Sequence, residues 1–179
     1  MKSIIIIAIS IFLPVVMLSQ EIIDYNPKKL FKELEKNNSH LKFQMEEIFI
    51  DDDAQLSLGK FFKISNNQRI CNYVYIGRVN SCRSNGCSIS DVKMDSYEYF
   101  DYYILFNLNK EIESIKVYNY QATYGHEVCS KGWLKQFVGY DGSSELIVGK
   151  NFDAISNATI SVYSISDDIQ SKTRMLKLM

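Results

Sequence analysis

Thr159 stands in the segment Asp153-Ala-Ile-Ser156-Asn157-Ala158-Thr159-Ile-Ser161, which combines residue types suited to holding an anion. Ser156 can cap a helix starting near Asn157, because its hydroxyl can accept a backbone N–H two or three residues on. Asn157 is among the few non-glycine residues that tolerate positive φ, which suits a tight turn. Ala158 is small and would leave room beside the backbone. Thr159 then places a hydroxyl in the first helical turn. Free N–H groups and the positive end of the helix dipole meet there, and together they favour a phosphate. On these residues alone, an ordinary Ser-capped helix start is the preferred reading.

Other chemistry-bearing residues form weaker constellations. His126 and Glu127 are adjacent, so a strand would point them to opposite sides, and no motif pairs a nucleophile with them; His126 reads as a loop residue. The chain has four cysteines, Cys71, Cys82, Cys87 and Cys129. In an exported protein an even count permits disulfides, and four cysteines allow three pairings. Cys82 and Cys87 flank the turn-like Arg-Ser-Asn-Gly, which a structural bridge would close, and Cys129 is then available to pair with Cys71. Two histidines and no repeated short knuckle argue against zinc. Asp51-Asp52-Asp53 offers three carboxylates to a cation but reads more simply as a solvated turn. Asn37-Asn38-Ser39 and Asn157-Ala158-Thr159 fit the glycosylation pattern, which is too common to weigh.

The elements that position these residues belong to one domain. Lys2 precedes an apolar run from Ile4 to Leu18, broken only by Ser10 and Pro14. That run is short for a spanning helix but suits a secretory signal, so residues 1–19 are expected to be a signal peptide and 20–179 the domain. An uncleaved membrane anchor is the alternative. The net charge of −1 and the even mixture of basic and acidic residues leave no basic stripe for nucleic acid. Twelve Tyr and ten Phe against two Pro favour strands with large apolar or ring-stacking surfaces.

Asn26-Pro27 opens a helix whose inner face is Leu30, Phe31 and Leu34. Strands are expected at 41–50, 60–64 and 70–79. A long hairpin follows, from Glu98 to Leu108 and from Ile112 to Tyr120, turning at Asn109-Lys110. Residues 121–130 form a polar loop. Trp133, Leu134, Phe137 and Val138 make the apolar face of a short helix, which the segment from Gly139 to Ser144 breaks. Finally, Ile155, Ala158, Val162, Ile165 and Ile169 recur at spacings of three and four, the stripe of an amphipathic helix. Its Ser and β-branched content makes a strand the competing reading. The fold class these elements compose is α+β, a curved, mostly antiparallel sheet flanked by helices.

The Asp153–Ser161 segment resembles the flavin-attachment signature of the FMN-binding domain family, which includes the flavin-carrying subunits of Rnf complexes and of the sodium-translocating NADH:quinone reductase. That signature runs Asp, two variable residues, Ser or Thr, Gly, Ala, Thr, one residue, then Ser or Thr. Asp153, Ser156, Ala158, Thr159 and Ser161 match it, and Asn157 stands where Gly is usual. Upstream, the family often has a strand ending Glu-Thr-Pro-Gly, then a helix with an aromatic and a Gln-Phe pair. This chain has Ala122-Thr123-Tyr124-Gly125 and Trp133-Leu-Lys-Gln136-Phe137, so Thr123 and Gly125 match. The resemblance spans about residues 98–169.

The resemblance implies an FMN-binding-domain-like fold carrying one FMN. A flavin transferase using FAD and magnesium outside the cytoplasm would esterify the FMN phosphate to Thr159, the magnesium belonging to the transferase. Asp153 and Ser156 would position the loop, Asn157, Ala158 and Ser161 would complete it, and Thr123 and Gly125 would approach the ring. The implied role is electron transfer between partner proteins, at the periplasm or cell surface, without a substrate-converting site; the cofactor supplies the redox chemistry. Two alternatives are a module that binds flavin or another small ligand without a covalent bond, and a disulfide-stapled surface module with no cofactor.

Overall fold

The computed structural model describes residues 22–37, 42–50, 58–67, 69–83 and 97–179. The apolar segment 1–19, the Asp51–Asp53 turn and Cys87, together with the side chain of Cys82, lie outside the described residues. The domain is α+β, with an antiparallel sheet flanked by helices. Its strands are β1 (Phe43–Ile48), β2 (Gly59–Asn66), β3 (Arg69–Arg83), β4 (Tyr97–Phe106) and β5 (Ile112–Tyr120), in that spatial order, each antiparallel to its neighbour. The expected 98–120 hairpin forms, with Lys110 at φ 62° in its turn.

Alternation along the central strands sends side chains to two cores. Tyr75 and Val79 of β3, with Phe100, Tyr102, Ile104 and Phe106 of β4, face one side; Val74, Ile76, Tyr103 and Leu105 face the other. Both sides are covered, so β4 is buried continuously from Phe100 to Phe106, Asp101 included. A buried carboxylate requires partners. Asp101 takes Arg78 Nε at 2.7 Å and Nη2 at 3.1 Å, and Asn119 Nδ2 at 2.9 Å. Tyr75 lies over the cross-strand pair Gly59 and Gly77, where any Cβ would collide with its ring.

One face is closed by α1 (Lys28–Asn37), which buries Leu30 and Leu34 against Phe62, Ile64, Val74 and Ile76. Phe31, expected on the same face, is only partly buried. Glu33 accepts from Tyr103 and Lys116, each at 2.6 Å, and so ties α1 to β4 and β5. The opposite face is closed by α3 (Thr159–Lys177), a helix as its stripe predicts. Ala158 at its start, then Val162, Ile165 and Ile169, are buried, the larger three contributing roughly 1.5–3 kcal/mol each. Tyr102 donates to Asp168 Oδ2 at 2.6 Å within this interface. Ile155 stays outside the helix, half-buried against the same core.

Between β5 and α3 run a short 3-10 turn (His126–Cys129), the four-residue helix α2 (Lys131–Leu134) and a second 3-10 turn (Lys135–Phe137). Trp133, Leu134 and Phe137 enter the core as expected, whereas Val138 is exposed because the chain has already left helical geometry there. Ser130 caps α2, its hydroxyl accepting from the Trp133 N–H.

A Cys71–Cys129 bridge, one of the pairings the sequence permits, is not formed. Both thiols are free: Cys71 packs with the α1-side core and Cys129 with the α3-side core, and the sheet separates them. Among the described residues no helix is long and apolar enough to cross a membrane, and no cluster of His, Cys, Asp or Glu is placed to hold a metal.

Candidate functional site

The Asp153–Ser161 segment enters α3 differently from its sequence expectation. Ser156 does not cap the helix: Asn157 adopts φ 64°, which breaks the turn, and the helix begins at Thr159 with Ala158 as its N-cap residue. The alanine methyl cannot accept a hydrogen bond, so no side-chain cap bond is made from this position. Among the described residues the entry is closed by backbone bonds, Ala158 N–H to Ile155 O at 3.2 Å and Val162 N–H to Ala158 O at 2.9 Å. Thr159, Ile160 and Ser161 therefore carry the orphan N–H groups of the first turn. Ala158 does not open space beside the backbone as expected; it is buried in the α3-side core.

Thr159 is exposed at this uncapped end. Asp153, Ser156 and Asn157 are exposed too. Ser161 is buried and turned the other way, into the domain, where its hydroxyl lies 2.8 Å from that of Ser81. In an α-helix, two residues differ by about 200° around the axis. Burying Ser161 thus leaves Thr159 facing out.

The upstream residues come to the same place. Trp133 Nε1 donates to the carbonyl of Asp153 at 2.7 Å, and the Asp153 N–H donates to Gln136 Oε1 at 2.8 Å. Trp133 and Phe137 also pack their rings against Phe152. One residue of the segment is thereby held at both its backbone groups. Gly125, at φ 85°, is buried against the start of α3, where a Cβ would stand 2.7 Å from Ser161 Oγ. Thr123 is exposed, and its N–H and hydroxyl both donate to Glu98. His126 sits edge-on to Tyr120 at 5.1 Å, in the loop as expected.

Ser81 and Tyr120 were not among the expected site residues. A signal for Ser81 was available, since the period-2 pattern through Tyr75 and Val79, extended one step, puts Ser81 on the α3 face. Tyr120 packs against that core from the end of β5, and burial pushes its phenol up to about 12 although a hydrogen bond with Ser161 pulls it down. Large apolar side chains lie exposed nearby in sequence: Tyr124 beside Gly125, Ile160, and Tyr163 one helical turn beyond Thr159.

The donor set fits the anionic end of a nucleotide. Uncapped N–H groups, the positive end of a helix dipole and an exposed threonine stand at one helix start, and no acidic residue occupies the first turn of α3. Fold and site together define an α+β domain with an exposed threonine at a clamped, uncapped helix start. No protein-family model matches the chain, and no curated protein matches its sequence.

Proposed function

We propose that this protein is an exported electron carrier of FMN-binding-domain type, holding one FMN through a phosphoester to Thr159. The observation that carries the reading is the exposed Thr159 at an uncapped helix start, with the upstream block reaching its segment through Trp133 and Gln136 at Asp153 and through Gly125 at Ser161. The coarse α+β architecture with an antiparallel sheet is the one the resemblance implies.

In the proposed attachment, Thr159 Oγ attacks the phosphorus of the FMN half of FAD, which a flavin transferase presents. The bond to the bridging oxygen breaks, AMP leaves, and the hydroxyl proton passes to a base of the transferase. No electron is gained or lost in this step. The bound group then supplies the redox chemistry, while this chain orients it through the first turn of α3 and offers the exposed rings of Tyr163 and Tyr124 as stacking faces. Covalent attachment suits a protein outside the cytoplasm, where a dissociated cofactor would be lost.

Coexpression with a flavin transferase followed by intact-mass measurement tests the reading. Wild type gains the mass of one FMN, and Thr159→Ala does not. An unmodified wild type refutes covalent attachment. Yellow colour released on denaturation would identify a non-covalent flavin module, the reading favoured by the Asn157 side chain where the signature has Gly. A colourless protein would identify a surface module without cofactor.

A further inference from the structure

Three hydroxyls gather behind the candidate site. Ser81 and Ser161 share a hydrogen bond at 2.8 Å, in which either oxygen can donate. Ser81 is 7% exposed and Ser161 3%, so water does not compete for this bond. The Tyr120 hydroxyl donates to the carbonyl of Tyr124 and, together with Ser161 Oγ, borders the position a Cβ on Gly125 would take, 3.3 and 2.7 Å from it. The cluster joins the end of β3, the first turn of α3, the end of β5 and the loop at Gly125.

We propose that Ser81 and Tyr120 are positioning residues for the modification of Thr159. Neither belongs to the residues that carry the family resemblance, and Ser81 lies outside the span it covers. Their action passes through Ser161. By holding that hydroxyl inward they set the rotation of the first turn, which keeps Thr159 outward and stops Ser161 from folding back to occupy the free N–H groups. Gly125 completes the enclosure, because any larger residue would enter the space Ser161 needs. This assignment rests on the reading of Thr159 as the attachment point; the chemical step is the phosphoryl transfer given above, and neither positioning residue exchanges a proton or electron in it.

The test uses the full chain with transferase, FAD and magnesium, following the rate at which FMN mass appears. Wild type is compared with Ser81→Ala, Tyr120→Phe and Ser81→Thr, the last keeping the hydroxyl. Hydrogen exchange of the Val162 amide, the first in α3 with a hydrogen bond, is measured on the same proteins before any flavin is added. Loss of one buried hydrogen bond is expected to slow attachment about fivefold and to speed exchange at Val162 by a similar factor. Exchange at 165–176 stays at the wild-type rate in every variant, and Ser81→Thr restores attachment. Should Ser81→Ala not fold, Tyr120→Phe, which removes only an oxygen, decides the matter. Equal attachment rates in all the proteins overturn the assignment while leaving Thr159 as the attachment point. No FMN on wild type overturns the reading of Thr159, and this assignment falls with it.

Discussion

Replacing Gly125 by alanine separates the two physical demands that the start of α3 makes on its neighbour. Gly125 has φ 85°, a left-handed conformation that costs an L-residue about 1–2 kcal/mol. Its Cβ would also stand 2.7 Å from Ser161 Oγ, closer than atoms can approach. Ser161 is short and held by Ser81, so it can yield only by giving up that hydrogen bond, worth about 1 kcal/mol. The total is about 2–3 kcal/mol. With a urea slope of about 2 kcal/mol/M, the unfolding midpoint falls by about 1–1.5 M. Two other glycines calibrate the terms. Gly139 has φ 87° with no atom within 4 Å of its Cβ position, so Gly139→Ala reads the backbone cost alone. Gly132, in α2, has neither demand, and Gly132→Ala is expected to stabilise by about 0.5–1 kcal/mol. Urea titrations of the three variants at one pH give the comparison. If Gly125→Ala costs no more than Gly139→Ala, the contact with Ser161 carries no energy and the clamp argument is wrong.

Three further outcomes follow from the described contacts. Burial raises the Glu33 carboxyl, but hydrogen bonds from Lys116 and Tyr103 outweigh it and hold Glu33 below the usual carboxylate value. A depressed native value means the unfolded chain binds the proton more readily, so the stabilisation is complete above the ordinary Glu range and is lost as pH falls through the native value. Unfolding free energy measured from pH 7 to pH 3 should therefore fall less steeply for Glu33→Gln than for wild type; parallel curves would contradict the linkage. Trp133→Phe keeps a ring beside Phe152 but loses the donor to the Asp153 carbonyl, and is expected to cost about 0.5–1.5 kcal/mol in denaturant unfolding. A stability equal to wild type would mean that bond is not made. Burial pushes the Cys129 thiol up to about 11, and raises Cys71 too, so both should resist iodoacetamide at pH 8 until the protein unfolds. Peptide mapping without reductant checks the same point, since a Cys71–Cys129 peptide would disprove their separation by the sheet.

The amino-acid pattern alone carried the elements. The spacing of Val162, Ile165 and Ile169 specified a helix where residue preferences left a strand as the competing reading, because one helical face needs only that local period to bury itself. The strands near 41–50, 60–64 and 70–79 and the long hairpin were legible in the same way. Thr159 at the mouth of the last helix was also readable, as were its uncommon neighbours Asn157 and Ala158.

What periodicity does not contain is which distant residues meet. Ser156 looked like a cap, yet the left-handed turn at Asn157 moved the helix start past it. Cys71 and Cys129 were plausible partners until strand register and helix packing sent them to opposite sides of the sheet. Ser81 reaches Ser161 across eighty residues, and Trp133 and Gln136 reach Asp153 from another element altogether. Local preferences act over one or two turns of chain. Contacts like these depend on how two closed cores set the sheet and α3 against each other, and only the folded arrangement decides them.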